Sequence, residues 1–449
     1  MQSTDFLHKI VRGLLYFVAG AMPLFFLPYT LEVLELNKHF FLYGFVLVAL
    51  LLWLLDGSMR KKFVINRTPF DIAIGVYLLA VLISGIFSTD RVMSFLGDYN
   101  TIQVGVLPLV FLVAYIFLLV QTCKSERQLL FVLATFYSAA GLSALIFFLG
   151  RWNLFSLSQF GVTIQNTVSL SNAEFGLLLS LLLMVSFTIL MFKKESFIID
   201  AWAATIGLIA IVDIVSLGFK SVYILLAIGL AIILAFVLTR ADSLRLGWIT
   251  AVFAMLVASV LFIFLGSPRF SVMKSIPLEI SLGVNESGSI AWNALTAGTK
   301  NFLFGSGPST FVYDFSRFKP LEMNTNPIAW KVRFGKPYAS VISIVAETGV
   351  VGSLSFLFMV LITLGHIGML WMKSISEKQK ETEWNPSSML MTVVSPVWLT
   401  LFVALFFVHI SITLWFLFWL LTGTTAAYIV MVKKDIEPFL ISLKSSPQY

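Results

Sequence analysis

Apolar runs of about 20 residues recur from one end of this chain to the other, and that recurrence limits what it can fold into. Such a run is the length that crosses a bilayer core as a helix. Hydrophobic residues make up 59% of the 449 and charged residues only 12%, about half the charged share of an ordinary soluble domain. Mean hydropathy is +0.94. A soluble fold has no way to hide that much apolar surface, so the sequence predicts an all-α, polytopic membrane protein. Hydropathy places about twelve spans, near 10–30, 39–56, 69–88, 103–122, 128–150, 168–192, 199–217, 220–239, 245–265, 349–372, 391–408 and 412–432.

The loops set an orientation. Every other loop is rich in Lys and Arg, from Lys9 and Arg12 through Arg60, Lys61, Lys62 and Arg67 to Lys433 and Lys434. The opposite set holds Lys38, Arg91, Arg151 and Lys220 outside one long loop at 266–336. The positive-inside rule then puts both termini in the cytoplasm and the long loop outside. The chain divides into helices one to nine (1–265), an external loop with short helices (266–348), and helices ten to twelve with a tail (349–449). The N-terminal "HKIVRGLLYFVAGAMPLFF" resembles a signal sequence, but its apolar run continues and further spans follow, so it reads as a first membrane helix that stays uncleaved. One cysteine, Cys123, excludes a disulfide framework and a cysteine metal cluster. No basic stripe interleaved with aromatics suggests nucleic acid.

The stretch "RFGKPYASVISIVAETGVVG" (333–352) carries two cations, Arg333 and Lys336, ahead of Pro337. From Tyr338 to Trp371, one straight helix would run about 51 Å against a bilayer core of about 30 Å. Gly349 and Gly352 offer a break. The sequence therefore predicts a short external helix near 338–347, a bend, and then the tenth span. The cations would stand at a helix N-terminus, which attracts anions. The long loop holds eight cations, Arg269, Lys274, Lys300, Arg317, Lys319, Lys331, Arg333 and Lys336, against the acids Glu279, Glu286, Asp314 and Glu322. That excess points to an anionic partner, either outer-leaflet lipid or a specific ligand.

Ionisable residues inside spans are expensive and mark function by default. Glu174, Asp213, Lys220, Glu347 and His409 all fall near the predicted outer face, and His366 toward the cytoplasm. Four of them also have a structural reading. Asp213 and Lys220 neutralise each other across a turn, Glu174 caps or braces helices, and His366 is a hydrogen-bonded bundle residue. "FGSGPSTF" (304–311) reads as a tight turn. No His, Cys or carboxylate spacing suggests a metal, and no fingerprint suggests a nucleotide cofactor. Polar groups at interface depth suit a lipid with a charged head. Transporter sites instead lie near the midplane on matched broken helices.

Four features resemble the bacterial O-antigen ligase and polymerase superfamily of membrane glycosyltransferases. They are "SLGFKSVYILLAIGLAI", "AWNALTAGTKNFLFGSGPSTF" with Trp292, "PYASVISIVAETGVVGSLSFL", and the layout of twelve spans with a large external loop before the tenth. The resemblance implies a metal-independent enzyme, without cofactor, in the bacterial cytoplasmic (inner) membrane. It implies transfer of a glycan from a polyprenyl-diphosphate carrier to a glycan, lipid or protein acceptor, among membrane lipids. Lys220, Arg333, Arg317 and Lys336 would hold the diphosphate, with Asp213, Glu174 and Trp292 in support. Tyr338 and Glu347 would be the catalytic candidates. A cation about 4 Å from a phosphate charge gains on the order of 4 kcal/mol at an effective dielectric near 20.

The sequence departs from the family twice. Lys220 stands where the family has Arg, which keeps charge but loses the bidentate fork. Tyr338 stands where the family has a His, and a phenol holds its proton at neutral pH. Two other readings therefore stay open: a degenerate relative that binds lipid-linked glycan or scaffolds an envelope complex without transfer, and a twelve-helix transporter or flippase.

Overall fold

The computed structural model describes residues 2–30, 32–97, 105–155, 157, 165–192, 196–238, 245–268, 279–325, 329–377, 386–433 and 438–442. Arg269 and Lys274 of the long loop, and Lys434 of the tail, lie outside the described residues.

Among the described residues the fold is all-α apart from one short ribbon. Each of the twelve predicted ranges holds a helix. In chain order these are α1 (Gln2–Ala21), α2 (Glu35–Met59), α3 (Asp71–Ile86), then a short α4 (Arg91–Leu96), α5 (Val106–Thr122), α6 (Glu126–Arg151), α7 (Asn172–Met191), α8 (Phe197–Leu217), α9 (Lys220–Leu238) and α10 (Leu246–Leu265). The long loop forms α11 (Val284–Thr296), α12 (Thr299–Phe304) and α13 (Phe311–Phe318) with two short 3-10 turns. Then come α14 (Ser340–Glu377), α15 (Pro386–Ala404) and α16 (Ile412–Val432). Among the described residues, eight of these helices are long and apolar enough to cross a membrane, and α3, α5 and the 390–404 part of α15 are shorter apolar helices. The first helix runs earlier than hydropathy placed it, ending at Ala21 instead of near 30. Pro23 and Pro28 follow, and proline supplies no N–H to continue a helix.

Helices α7 and α16 are buried along almost their whole length, whereas α10 lies at the periphery against α9. Local signals set the helix ends. At the start of α3 the Asp71 carboxylate accepts from the Thr68 N–H (2.9 Å). The Glu32 carboxylate accepts from the N–H groups of Leu34 and Leu36 (3.0 and 2.7 Å) and so caps α2.

Two sets of contacts gather at opposite ends of the bundle. The strand β1 (Lys62–Ile65), after α2, pairs antiparallel with β2 (Phe439–Ser442) of the C-terminal segment. The α3–α4 connection, by contrast, binds the long loop: Thr89 N–H donates to Ser306 O (2.8 Å), and Tyr313 Oη to Asp90 Oδ2 (2.9 Å). The loop is a folded cap with its own small core of Leu282, Ile290, Ala291, Phe311, Phe315 and Phe334, closed against Ala346 of α14.

Candidate functional site

Helix α14 is continuous to the eye but breaks at Gly349, whose φ of 63° and ψ of −165° are non-helical. That region is open to glycine almost alone. A Cβ there would also sit 2.6 Å from Gly305 N and 2.7 Å from the Leu303 carbonyl. Gly305 (φ 73°) faces it, and its own Cβ would lie 2.3 Å from the Glu347 carbonyl. Two backbones touch here, and only glycine on both sides allows it. The bend falls where the sequence suggested, and the segment before it starts at Ser340, two residues after Tyr338.

Glu347 explains why the turn at 304–311 needs an acid nearby. Its Oε2 accepts from Ser309 N–H (3.1 Å) and Oε1 from Phe311 N–H (3.3 Å). Ser343 adds a side-chain hydrogen bond. The Glu347 backbone carbonyl accepts from Gly307 N–H (2.9 Å) and Ser84 Oγ (2.9 Å). Ser306 Oγ donates to Asp314 Oδ2 (2.6 Å), and Thr310 Oγ1 donates to Ser306 Oγ (2.9 Å). Burial pushes the Asp314 carboxyl up to about 7, against the Ser306 bond and the charges of Lys300 and Arg317. Glu347 thus clamps the cap to the bundle, with its oxygens committed to backbone donors.

Lys336 points inward. Its Nζ lies 3.5 Å from Glu35 Oε2 and 4.0 Å from Glu174 Oε1, and the side chain is 26% exposed. Burial pulls the ammonium down, but Glu35 and Glu174 outweigh it and hold its pKa above the ordinary lysine value. Glu174 also accepts from Ser169 Oγ (2.5 Å). Glu279 of the cap accepts from Ser171 Oγ (3.0 Å) and Asn172 N–H (2.5 Å), so the cap is capping α7. Beside this group, Lys38 is fully buried, and its Nζ donates to Thr167 O (2.7 Å), Val168 O (2.8 Å) and Thr413 Oγ1 (2.9 Å). Three acceptors satisfy all three N–H bonds, the condition for a buried ammonium.

The four proposed phosphate-binding residues do not form one cluster. Arg333 is exposed on the cap, its Nε donating to Ser316 Oγ (3.0 Å), with the guanidinium 5.9 Å from the Tyr313 ring. Arg317 is its exposed neighbour, stacked on Phe318 at 5.2 Å. Lys220 is exposed at the start of α9, and among the described residues no contact joins it to the other three. Asp213 is buried and faces the charge of Arg151, not Lys220. The pairing across the α8–α9 turn is therefore corrected: Asp213 turns into the bundle while Lys220 stays outside it. Tyr338 is held through its backbone, its N–H donating to Ser287 Oγ (2.9 Å). Trp292 is 65% exposed on the cap. His366 Nδ1–H donates to Ile362 O (2.9 Å), and the ring packs 5.1 Å from that of Phe70, which makes it a bundle residue.

His409 comes close to the α14 start through the backbone. Ser340 N–H donates to Val408 O (3.3 Å), Val341 N–H to Leu405 O (3.0 Å), and Ile410 N–H to Ser340 Oγ (3.0 Å). This places His409 on a cavity of about 50 Å³ shared with Tyr77, Ser340, Ser343, Glu347 and Trp419. Burial first, then the charge of Lys336, hold its imidazole well below the ordinary histidine range. Among the described residues no group of three His, Cys, Asp or Glu is arranged to hold a metal ion.

Sequence reading assigned no site role to Glu35, Lys38 or Glu279, the last two read only as loop charges. "LEVLELNKHF" carried a signal: Glu35, Lys38 and His39 follow helical i, i+3, i+4 spacing at the edge of an apolar run. No protein-family model matches the chain, and no curated protein matches it.

Proposed function

We propose that this chain is a twelve-span membrane glycosyltransferase of the O-antigen ligase type. It moves a glycan from a polyprenyl-diphosphate carrier to an acceptor at the outer face of the cytoplasmic membrane. The observation that carries the reading is the cap: a folded loop clamped by Glu347 onto one end of an apolar bundle. A carrier lipid presents its head at that depth while its tail stays in the bilayer. In this reading Arg333 and Arg317, exposed on the cap, meet the diphosphate first. Lys336 then exchanges a carboxylate for phosphate oxygen. The separation of the two loop sets supports the outward placement of the cap, since β1 and β2 pair at the end opposite to it.

The reading is tested in proteoliposomes loaded with labelled carrier lipid from the host's own membranes. Transfer of label to an acceptor, with release of polyprenyl diphosphate, is the expected result. One observation favours the non-transferring relative: Lys336 is already held by two carboxylates, and Tyr338 occupies the family's His position. Tight donor binding without transfer to any host acceptor would establish that second reading.

A further inference from the structure

A cavity of about 210 Å³ lies at the end of the bundle opposite the cap, where β1 folds back on the last turns of α2. Gly57 allows that close fold: the Phe63 ring lies against it, where a Cβ would collide. The end of α5 closes another side. There Asn66 N–H donates to Gln121 Oε1 (2.8 Å), and Gln121 Nε2 donates to Asn66 O (3.1 Å). Trp53 and Phe63, whose rings are 5.6 Å apart, give the cavity an apolar wall.

The polar lining is Arg60, Lys62, Lys124 and His8 around one acid, Asp56. Asp56 is already engaged. Arg60 Nε donates to its Oδ1 (3.0 Å), and His8 Nδ1 lies 3.0 Å from its Oδ2. The Asp56 side chain is only 3% exposed, whereas that of Arg60 is 31% exposed beside it. Lys62 and Lys124 are exposed, and among the described residues no carboxylate pairs with either. Three cations therefore meet one occupied acid. Like charges gathered on one cavity repel one another, and an anion between them relieves that repulsion. Lysines that serve only to orient the chain need face nothing but water; these converge.

We infer that this cavity binds a phosphate group, carried by an anionic lipid of the adjoining leaflet or free in solution. The site stands whether or not the chain transfers glycan, and its cytoplasmic side follows the orientation that the loop charges set. Asp56 fixes the direction of the Arg60 guanidinium, and Lys62 and Lys124 act on the phosphate as mobile point charges. Two features favour the lipid. The Trp53 and Phe63 wall suits a glycerol backbone at the depth of the headgroups. The same turns of α2 leave Leu51, Leu55 and Met59 exposed, and their i, i+4 spacing forms an apolar track for an acyl chain. Basic clusters at that face hold anionic lipid through just such a combination.

The test uses the full chain in a nonionic detergent. Bound lipid is counted by native mass spectrometry during titration with dioleoyl phosphatidylglycerol or dioleoyl phosphatidylcholine. Inorganic phosphate is titrated separately, with the unfolding temperature as readout. The variants are Lys62→Gln, Lys124→Gln and the two together. Lys433→Gln, an exposed basic residue that does not line the cavity, is the control. Both cavity lysines are exposed, so ligand-free unfolding temperatures are expected to match the wild type, and either single variant reads the site. The expected result is one phosphatidylglycerol held in preference to phosphatidylcholine. Each cavity variant weakens it about fivefold and the pair about 25-fold, while Lys433→Gln stays within about twofold of wild type. If phosphatidylglycerol binds both proteins alike, but inorganic phosphate raises the unfolding temperature of wild type and not of the double variant, the site stands and its ligand is the free anion. If neither probe separates the double variant from wild type, or Lys433→Gln weakens binding as much as Lys62→Gln, the charges serve orientation alone and the site is overturned.

Discussion

Two polar regions lie side by side on the first turns of α14, and they are built in opposite ways. At Glu347 every strong acceptor meets a donor, two glycines let backbones touch, and the turn at 304–311 is fixed to the bundle. At His409, on the cavity that Glu347 also borders, the buried imidazole Nδ1 meets no hydrogen-bond partner. The comparison teaches where to look for chemistry. A buried carboxylate in a membrane protein draws attention first, but one whose oxygens are committed to backbone N–H groups acts as a fastener. A buried group without a partner does not fasten the fold.

Substitutions at the fastener break this contrast most strongly. Gly349→Ala places a Cβ against the Gly305 and Leu303 backbones and forces an alanine into a glycine-only region. It is expected to cost about 4 kcal/mol, read as a lowered unfolding temperature in detergent. Glu347→Ala strands two buried N–H groups, at about 1–3 kcal/mol each, and limited proteolysis of the cap is expected to show it opening. Lys38→Met leaves two carbonyls and one hydroxyl without their donor and should cost about 2 kcal/mol, with no change in cap protection.

A pH experiment sharpens the same comparison. The Asp314 carboxyl titrates at about 7 in the folded cap, against 3.8 when free. Between those values the folded cap holds a proton that the opened loop has lost, so cap stability falls as pH rises from about 4 through 7. Cap cleavage, corrected for protease activity on a denatured substrate, is expected to be faster at pH 8 than at pH 5. Asp314→Asn should flatten the difference. The smallest effect belongs to Arg333→Ala. An exposed side chain with one hydroxyl partner contributes less than about 0.5 kcal/mol to stability, yet donor-lipid binding should weaken by several-fold.

Much of the fold was legible because hydropathy is a local signal. Each of the twelve stretches holds a helix, and the bend at Gly349 follows from a helix too long for a bilayer and a glycine at the right place. Glu35 and Lys38 escaped because they stand just before the apolar run and read as loop. The direction of Lys336 was hidden for another reason: Glu35 lies 301 residues away in the chain, and no local pattern encodes that pairing. The same holds for His409, brought to α14 by backbone bonds from Ser340 and Val341 that any residues there would make. The Glu347 clamp was half visible, as an acid near two glycines, while its partners in the turn at 304–311 needed the fold.

The most direct measurement is limited proteolysis of the cap in nanodiscs for wild type and Glu347→Gln, with release of polyprenyl diphosphate from labelled carrier followed in parallel. Wild type is expected to keep the cap protected and release the diphosphate, whereas Glu347→Gln, which loses an acceptor for the Ser309 or Phe311 N–H, opens the cap and slows release. Wild-type cap protection in Glu347→Gln would contradict the clamp.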